Sequence, residues 1–367
     1  MKPDKNDPRA VNAPSEDDIS LEQLHDIEAA AKYIEYISVP LSNLQVDTVT
    51  GFNLYLKSGA GQNFVLYRGA NLPFGQEQKE KLQESDVREV YITASDRKHY
   101  LRYLEENLGN IIADESLSTR EKTRIAYDCA SQLARDVLRD PSRPENLERA
   151  KAMVGHTVHH LITDVEQPAT MLDMMAFDYS TYTHSVNVCI LGIALGERLG
   201  LSSEELNVLG AGLFLHDVGK SKVDPAILNK KGPLDDREWE TIKKHPDLGY
   251  EILREAGGVP EAAMLVVRQH HEKMNGKGYP LGLQDQEIHL YAKIAALADV
   301  FDALTTKRAY KDALRSFPAV KIMRDEMAEE FKPEFLRELI LMLSDAKVPK
   351  QSVGLPKRSK APKRRAA

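Results

Sequence analysis

The hydrophobic pattern of this chain changes once, near residue 95, and that change restricts the fold more than any other feature. Before it, from Tyr33 to about Thr93, short runs of β-branched and aromatic residues alternate with Gly, Asn and Ser turns, which predicts a small α+β domain. After it, apolar residues recur at helical spacing and strand signals are nearly absent. We therefore predict a multidomain protein with an all-α domain that follows a small α+β domain and a helical connector.

The predicted elements follow from local patterns. Ser118 and Glu121 stand at capping-box spacing before an apolar helical repeat, which predicts the start of a long connector helix. A second connector helix is predicted at Asn146–Thr163. Strands are predicted at Tyr33–Val39, Phe52–Lys57, Asn63–Arg68 and Glu89–Thr93, and a helix at Gln76–Gln83. The predicted limits are 1–20 for a disordered segment, 21–110 for the α+β domain, 111–165 for the connector, 166–346 for the all-α domain and 347–367 for a disordered tail.

Composition favours a cytoplasmic protein. No apolar run approaches the roughly 18 residues that span a bilayer, and the first residues lack the apolar stretch of a secretory signal. We expect Cys129 and Cys189 to stay reduced and to bind no metal. The net charge is −7, although residues 347–367 hold eight Lys or Arg and no acid. This basic tail leaves contact with nucleic acid or an acidic partner as an alternative, although we do not expect nucleic acid to be the main partner.

Five of the 11 histidines lie in the all-α part beside acidic or glycine neighbours. The apolar run Leu213–Leu215 precedes His216 and Asp217, which predicts that this pair lies on a buried helix. An unpaired buried Asp217 would cost several kcal/mol, and a metal ion is the simplest partner. A lone helical histidine is more often a packing residue, so the adjacent pairs carry the prediction. The five histidines are His184, His216, His245, His270 and His271.

Imidazole and carboxylate ligands suit Fe, Mn, Zn or Ni, and an aspartate can bridge two ions. Five histidines together with Asp217 and Asp299 are enough for two metals. If 216–220 is helical, Lys220 lies one turn from His216 on the same face. Its ammonium group would then sit beside whatever the metals hold, which predicts an anionic substrate.

A second motif covers residues 269–280. Adjacent helical side chains diverge by about 100°, so His270 and His271 can converge on one ion only near a helix end. The Asn-Gly step at 275–276 and the Gly-Tyr-Pro step at 278–280 predict that end. Pro280 favours an extended Tyr279, which would place a phenol at the mouth of the site. On its own, the Gly-Tyr-Pro step would be an ordinary surface turn.

A third motif places Asp299 in an apolar helix and is followed by the basic residues Arg308 and Lys311. Such a pair is usually a solvated face, but beside two metals it would bind phosphate oxygens. In two-metal sites an ion-bound water attacks phosphorus while both ions hold the phosphoryl oxygens. The pattern therefore predicts a metal-dependent phosphodiesterase.

Together these motifs resemble the HD-GYP proteins, a branch of the HD phosphohydrolase superfamily. The resemblance covers about residues 166–315 and implies an all-α domain that hydrolyses cyclic di-GMP to pGpG or onward to GMP, with iron or manganese as the metal. It implies that one ion binds His184, His216, Asp217 and Asp299. It implies that the other binds His245, His270 and His271, with Asp217 as a bridge, while substrate contacts Lys220, Tyr279, Arg308 and Lys311.

Members with a third metal carry a glutamate four residues before the first histidine ligand, where this chain has Ser180. We therefore predict two ions, with Asp217 and Lys220 as the catalytic residues. The α+β domain is expected to be regulatory, and the connector helices would support a homodimer. His156, His159 and His160 are expected on a solvent or dimer face. The alternatives are an HD phosphohydrolase of another nucleotide and an inactive cyclic di-GMP receptor.

Overall fold

The computed structural model describes residues 34–58, 63–163, 181–306 and 314–345. It divides the chain into two compact units, with the boundary between Tyr103 and Leu104. The predicted disordered ends, 1–20 and 347–367, lie outside the described residues. So do three residues that the sequence analysis singled out, namely Ser180, Arg308 and Lys311.

The first unit contains an antiparallel sheet of four strands in the order β1-β6-β3-β4. Leu54, Val90 and Ile92 are fully buried on one face of this sheet, as alternation along the strands requires. A separate two-stranded ribbon pairs β2 with β5. The strands are β1 (Tyr36–Pro40), β2 (Thr48–Val49), β3 (Leu54–Ser58), β4 (Asn63–Arg68), β5 (Pro73–Phe74) and β6 (Glu89–Thr93).

The prediction of a small α+β domain is confirmed, and each of the four predicted strands is present with shifted ends at β1 and β3. The ribbon of β2 and β5 was not predicted. Each of its strands has two residues, too few to show alternation, and they form only because Thr48 pairs with Phe74 and Val49 with Pro73.

The helices that the structure describes differ widely in length. In the first unit α1 lies between β5 and β6, and α2 crosses the boundary between the units. The others belong to the second unit. They are α1 (Gln76–Glu84), α2 (Arg97–Glu106), α3 (Leu108–Ala113), α4 (Thr119–Arg139), α5 (Pro144–Thr163), α6 (Thr181–Arg198), α7 (Ser203–Leu215), α8 (Pro225–Leu228), α9 (Asp236–Ile242), α10 (His245–Ala256), α11 (Glu261–Gln269), α12 (Leu290–Thr305), α13 (Ser316–Glu326) and α14 (Pro333–Asp345).

The long helix α4 begins at the predicted capping box. The Ser118 hydroxyl accepts a hydrogen bond from the Glu121 backbone N–H at 3.3 Å, and the Glu121 carboxylate accepts one from the Ser118 N–H at 2.9 Å. Helices α4 and α5 pack against α6 and α7. The predicted connector, 111–165, is thus part of the same compact unit as the helices that follow it. The functional domain limits given above stay a prediction.

Helices α6, α7, α11 and α12 form the centre of the second unit, with α7 against both α6 and α11 and α12 against α6. Within the described residues 181–306 and 314–345, the backbone contains no strand, and a single bridge joins Asn275 to Gln284. The prediction of an all-helical domain is confirmed over those residues. No helix in the described part of the chain is long and apolar enough to cross a membrane.

Candidate metal centre

The seven predicted ligand residues come from five helices or helix ends of the second unit and converge at one place. His184 lies on α6, His216 and Asp217 follow α7, and His245 begins α10. Three groups have ligand atoms within 4.8 Å of one another. They are His184, His216 and Asp299; His245, His270 and His271; and His216, Asp217 and His270.

The backbone at Asp217 differs from the prediction. Helix α7 ends at Leu215, and Asp217 begins a 3-10 turn, Val218–Lys222, so the predicted helix through 216–220 is wrong. A side chain at Gly219 would overlap the His245 carbonyl oxygen, so only glycine lets the turn lie this close to the start of α10. The turn places the Lys220 ammonium 2.5 Å from the Asp217 carboxylate rather than beside His216.

The pair His270 and His271 follows α11, which ends at Gln269. The prediction that this pair lies at a helix end is confirmed. Because the backbone leaves the helical path there, both rings turn toward His245. Their centroids lie 5.2 and 5.1 Å from that of His245 and 4.1 Å from each other.

Hydrogen bonds to Nδ1 assign the proton position in four of the histidines. In His184, Nδ1 lies 2.7 Å from the Asp302 carboxylate and donates to it. The other three donate from Nδ1 to a carbonyl oxygen three residues earlier, His216 to Leu213 at 2.7 Å, His245 to Ile242 at 2.8 Å and His270 to Val267 at 2.8 Å. A neutral imidazole with its proton on Nδ1 carries a lone pair on Nε2. In this tautomer all four histidines direct the Nε2 lone pair, the form that coordinates a metal, toward the centre.

These Nε2 atoms approach one another in two pairs. The distance is 3.3 Å between His184 and His216 and 3.2 Å between His245 and His270. Two lone pairs at this separation repel unless a cation lies between them. Among the described residues, no group donates a hydrogen bond to the buried Oδ1 of Asp217, which faces the His245 and His270 pair. The donor set therefore fits metal ions.

Asp217 lies between the two pairs. Its Oδ2 is 3.5 Å from His216 Nε2 and 3.7 Å from His184 Nε2. Its Oδ1 is 3.3 Å from His245 Nε2 and 3.9 Å from His270 Nε2. Each carboxylate oxygen thus faces one histidine pair, which is the arrangement that a bridging carboxylate requires.

The charge states of these groups also suit metal binding. Burial lowers the pKa of His216, holds that of His270 well below its ordinary value and lowers that of His271 to about 3. Burial opposes ionisation of Asp217, but the adjacent Lys220 ammonium holds the pKa of its carboxyl well below the usual range. Neutral imidazoles and ionised carboxylates are the forms that coordinate metals.

Asp302 is a site residue that the sequence analysis did not assign. It is fully buried, and its Oδ1 accepts from the Asn187 amide at 2.8 Å and from the Thr306 hydroxyl at 3.0 Å. Asn187 in turn accepts from the Tyr127 hydroxyl at 2.8 Å. A hydrogen-bonded chain therefore runs from α4 to His184. Carboxylates in this position orient metal-binding histidines. The available signal was a second aspartate on the same apolar helix as Asp299.

The Gly-Tyr-Pro segment is an ordered part of the centre rather than an ordinary surface turn. The buried Glu272 carboxylate accepts hydrogen bonds from the backbone N–H groups of Leu281 at 2.7 Å and Leu283 at 2.9 Å. A side chain at Gly278 would overlap the backbone of Glu272. Tyr279 lies against His271, with ring centroids 4.7 Å apart and ring planes 31° apart. Burial raises the pKa of its phenol, which therefore keeps its proton.

Comparisons with known proteins decide the family. The HD domain family model matches residues 170–335. A cyclic di-GMP phosphodiesterase of Pseudomonas aeruginosa is 30% identical over 286 residues, which cover 74% of this chain and 69% of that protein. The chain belongs to the HD-GYP family.

Other HD-GYP relatives match a shorter region. A cyclic di-GMP phosphodiesterase response regulator of Xanthomonas campestris is 37% identical over 147 residues, 40% of this chain and 39% of that protein. A 3'3'-cGAMP-specific phosphodiesterase of Vibrio cholerae is 36% identical over 162 residues, 44% of this chain and 31% of that protein. The structure of an HDGYP protein from Bdellovibrio bacteriovorus has a TM-score of 0.61 at 22% identity and covers 84% of this chain and 100% of its own, which supports the fold.

Proposed function

We propose that this HD-GYP protein hydrolyses cyclic di-GMP to pGpG or onward to GMP, at a centre of two divalent ions. The observation that carries the proposal is the position of Asp217, whose two oxygens face two separate pairs of histidine Nε2 atoms. Relatives that are named cyclic di-GMP phosphodiesterases support the substrate.

Under this proposal one ion binds His184, His216, Asp217 and Asp299, and the other binds His245, His270 and His271 together with the bridging Asp217. Two of the converging groups correspond to these sets, and the third joins them through Asp217. When bound, the ions would supply Lewis acidity toward the phosphoryl oxygens and the attacking water. Iron is the proposed metal and manganese the alternative, since both accept mixed imidazole and carboxylate ligands.

The chain's own side chains prepare the centre for an anion. The Lys220 ammonium holds the Asp217 carboxylate ionised and in place, and its side chain keeps 17% of its surface exposed. The protonated phenol of Tyr279 provides a hydrogen-bond donor near His271. We propose that Lys220 and Tyr279 contact a substrate phosphate. The proposed phosphate contacts of Arg308 and Lys311 rest on the sequence, because both lie outside the described residues.

The proposed number of ions is two because Ser180 replaces the glutamate of members with three. Elemental analysis of the purified protein should return two ions per chain. A count of three would contradict this assignment.

Incubation of the metal-loaded protein with cyclic di-GMP tests the reaction directly. We expect chromatography to show pGpG, with GMP at longer times, under anaerobic Fe(II) or with Mn(II). Pretreatment with a chelator should abolish turnover, and added metal should restore it. If loaded protein binds cyclic di-GMP without cleaving it, the chain is a receptor and the proposal is wrong.

A second candidate substrate is 3'3'-cGAMP. It is favoured by the Vibrio cholerae relatives, three of which are named as specific for this nucleotide at 35 to 36% identity. Parallel assays with both cyclic dinucleotides distinguish the candidates. A much higher kcat/KM for 3'3'-cGAMP would assign that substrate to the same centre.

A further inference from the structure

Trp239 is the single tryptophan of the chain and lies on the short helix α9 with 45% of its surface exposed. Exposure alone does not mark a binding site, since Phe317 is 76% exposed. Trp239 differs because its ring contacts Tyr279, with the centroids 6.1 Å apart and the ring planes at 78°. An exposed aromatic residue thus borders the metal centre.

Three rings form a continuous aromatic row that leads outward from the metal centre. His271 contacts Tyr279 at 4.7 Å, and Tyr279 contacts Trp239 at 6.1 Å. His271, at the inner end of the row, keeps 25% of its side chain exposed, whereas Trp239 at the outer end is 45% exposed.

Both outer rings are held in place through the backbone of the centre itself. The Tyr279 N–H donates to the His271 carbonyl at 3.2 Å. On the other side, the last residue of α9, Ile242, accepts from Nδ1 of His245 at 2.8 Å. Trp239 stands one turn before Ile242. The aromatic row is therefore fixed relative to two predicted metal ligands on different helices.

We infer that the Trp239 indole is a stacking platform for one purine base of the substrate, with Tyr279 edge-on beside it. This inference rests on the proposed function, which places a phosphodiester at the ions. A cyclic dinucleotide carries two purine bases outside its ring of sugars and phosphates. When a phosphodiester lies at the ions, a base therefore lies against the surface beside the centre. Tryptophan offers the largest face for base stacking, and stacking tolerates different bases.

Fluorescence of the single tryptophan reports on this contact directly. Metal-loaded wild-type protein is titrated with GMP and, as the control, with ribose 5-phosphate, which has the phosphate but no base. A guanine stacked on the indole quenches its emission. We expect saturable quenching by GMP and none by ribose 5-phosphate. Equal responses to both ligands, or none to either, would overturn the inference.

Kinetics of substitutions at Trp239 provide the second measurement. We expect Trp239→Ala to raise KM for cyclic di-GMP about tenfold with little change in kcat, and Trp239→Phe to restore most of the loss. Phe317→Ala removes an even more exposed ring that is not part of the aromatic row and should leave KM unchanged. If Trp239→Ala lowers kcat without raising KM, or if Trp239→Phe restores nothing, the stacking role is wrong.

The two measurements separate this inference from the proposed function. If GMP quenches the tryptophan but cyclic di-GMP is not hydrolysed, the platform stands and the proposed reaction fails. If hydrolysis proceeds without quenching and with an unchanged KM for Trp239→Ala, the reaction stands and the platform fails.

Discussion

At the scale of single residues, the position of the ring proton determines which nitrogen of each histidine can bind a metal. In His216, His245 and His270, the Nδ1 proton is fixed by a carbonyl three residues earlier, so the lone pair of Nε2 points into the centre. This pattern requires each histidine to stand at or just after a helix end, where the carbonyl at i−3 is accessible. The seven ligand candidates could be predicted from their neighbours in the sequence. The sequence marks Asp302 only as a second aspartate beside Asp299; its orienting role could not be predicted, because it depends on contact with His184, 118 residues away.

Acid should destabilise the metal-free protein. An unfolded histidine titrates near pH 6.5, whereas burial keeps folded His271 neutral down to about pH 3. Between these values the unfolded chain binds more protons, so the free energy of unfolding falls as pH decreases, by about 1.4 kcal/mol per pH unit for each such histidine. Urea unfolding in a chelator at pH 7.5 and 5.5 measures this slope. His271→Asn should reduce it, and a slope of opposite sign would contradict the assigned proton states.

Helix ends are the elements that build this centre, and their exact positions were harder to predict than the helices. The Asn-Gly and Gly-Tyr-Pro steps marked the end of α11 in advance. The end of α7 carries no such signal, because Gly219 approaches His245 from the next part of the chain and contact replaces local propensity. The link from α4 to His184 was likewise not predictable, since Tyr127 and Asn187 meet only when α4 packs against α6.

The hydrogen-bonded link from α4 to His184 predicts the effect of removing the Tyr127 hydroxyl group. Tyr127→Phe removes the hydrogen bond to Asn187, so the Asp302 carboxylate and His184 are held less firmly. We expect metal affinity to fall about tenfold, as measured by competition with a chromophoric chelator, while unfolding of the metal-free protein changes by only about 1 kcal/mol. Tyr182→Phe removes a hydroxyl from α6 and serves as the control. Equal metal affinities for the two variants would show that the hydrogen bonds from Tyr127 to His184 have no positioning role.

The loop after α11 depends on one buried carboxylate. In Glu272→Gln, the amide nitrogen would face the N–H groups of Leu281 and Leu283, so one of the two hydrogen bonds is lost. We expect a loss of about 1 to 3 kcal/mol in unfolding free energy and a raised KM, because Tyr279 is no longer fixed. Glu287→Gln, in the exposed 3-10 turn Asp285–Glu287, is the matched control. An unchanged KM for Glu272→Gln would show that the loop after α11 does not contribute to substrate binding.

On the scale of the whole molecule, an α+β unit precedes a helical unit, as the change of hydrophobic pattern near residue 95 predicts. The placement of helices α4 and α5 with the metal-binding helices was not predictable, because an amphipathic helix shows that it has a buried face but not which helix covers it. The regulatory role of the first unit and a homodimer through α4 and α5 remain predictions.

We propose that Asp217 joins two ions into one hydrolytic centre, and metal content measured beside turnover tests this bridging role. Wild type, Asp217→Asn and the control Asp247→Asn, whose carboxylate pairs with Arg268, are purified under identical conditions. We predict two ions and cyclic di-GMP hydrolysis for wild type and Asp247→Asn. For Asp217→Asn we predict the loss of at least one ion per chain and of turnover. Full metal content with undiminished hydrolysis in Asp217→Asn would contradict the account.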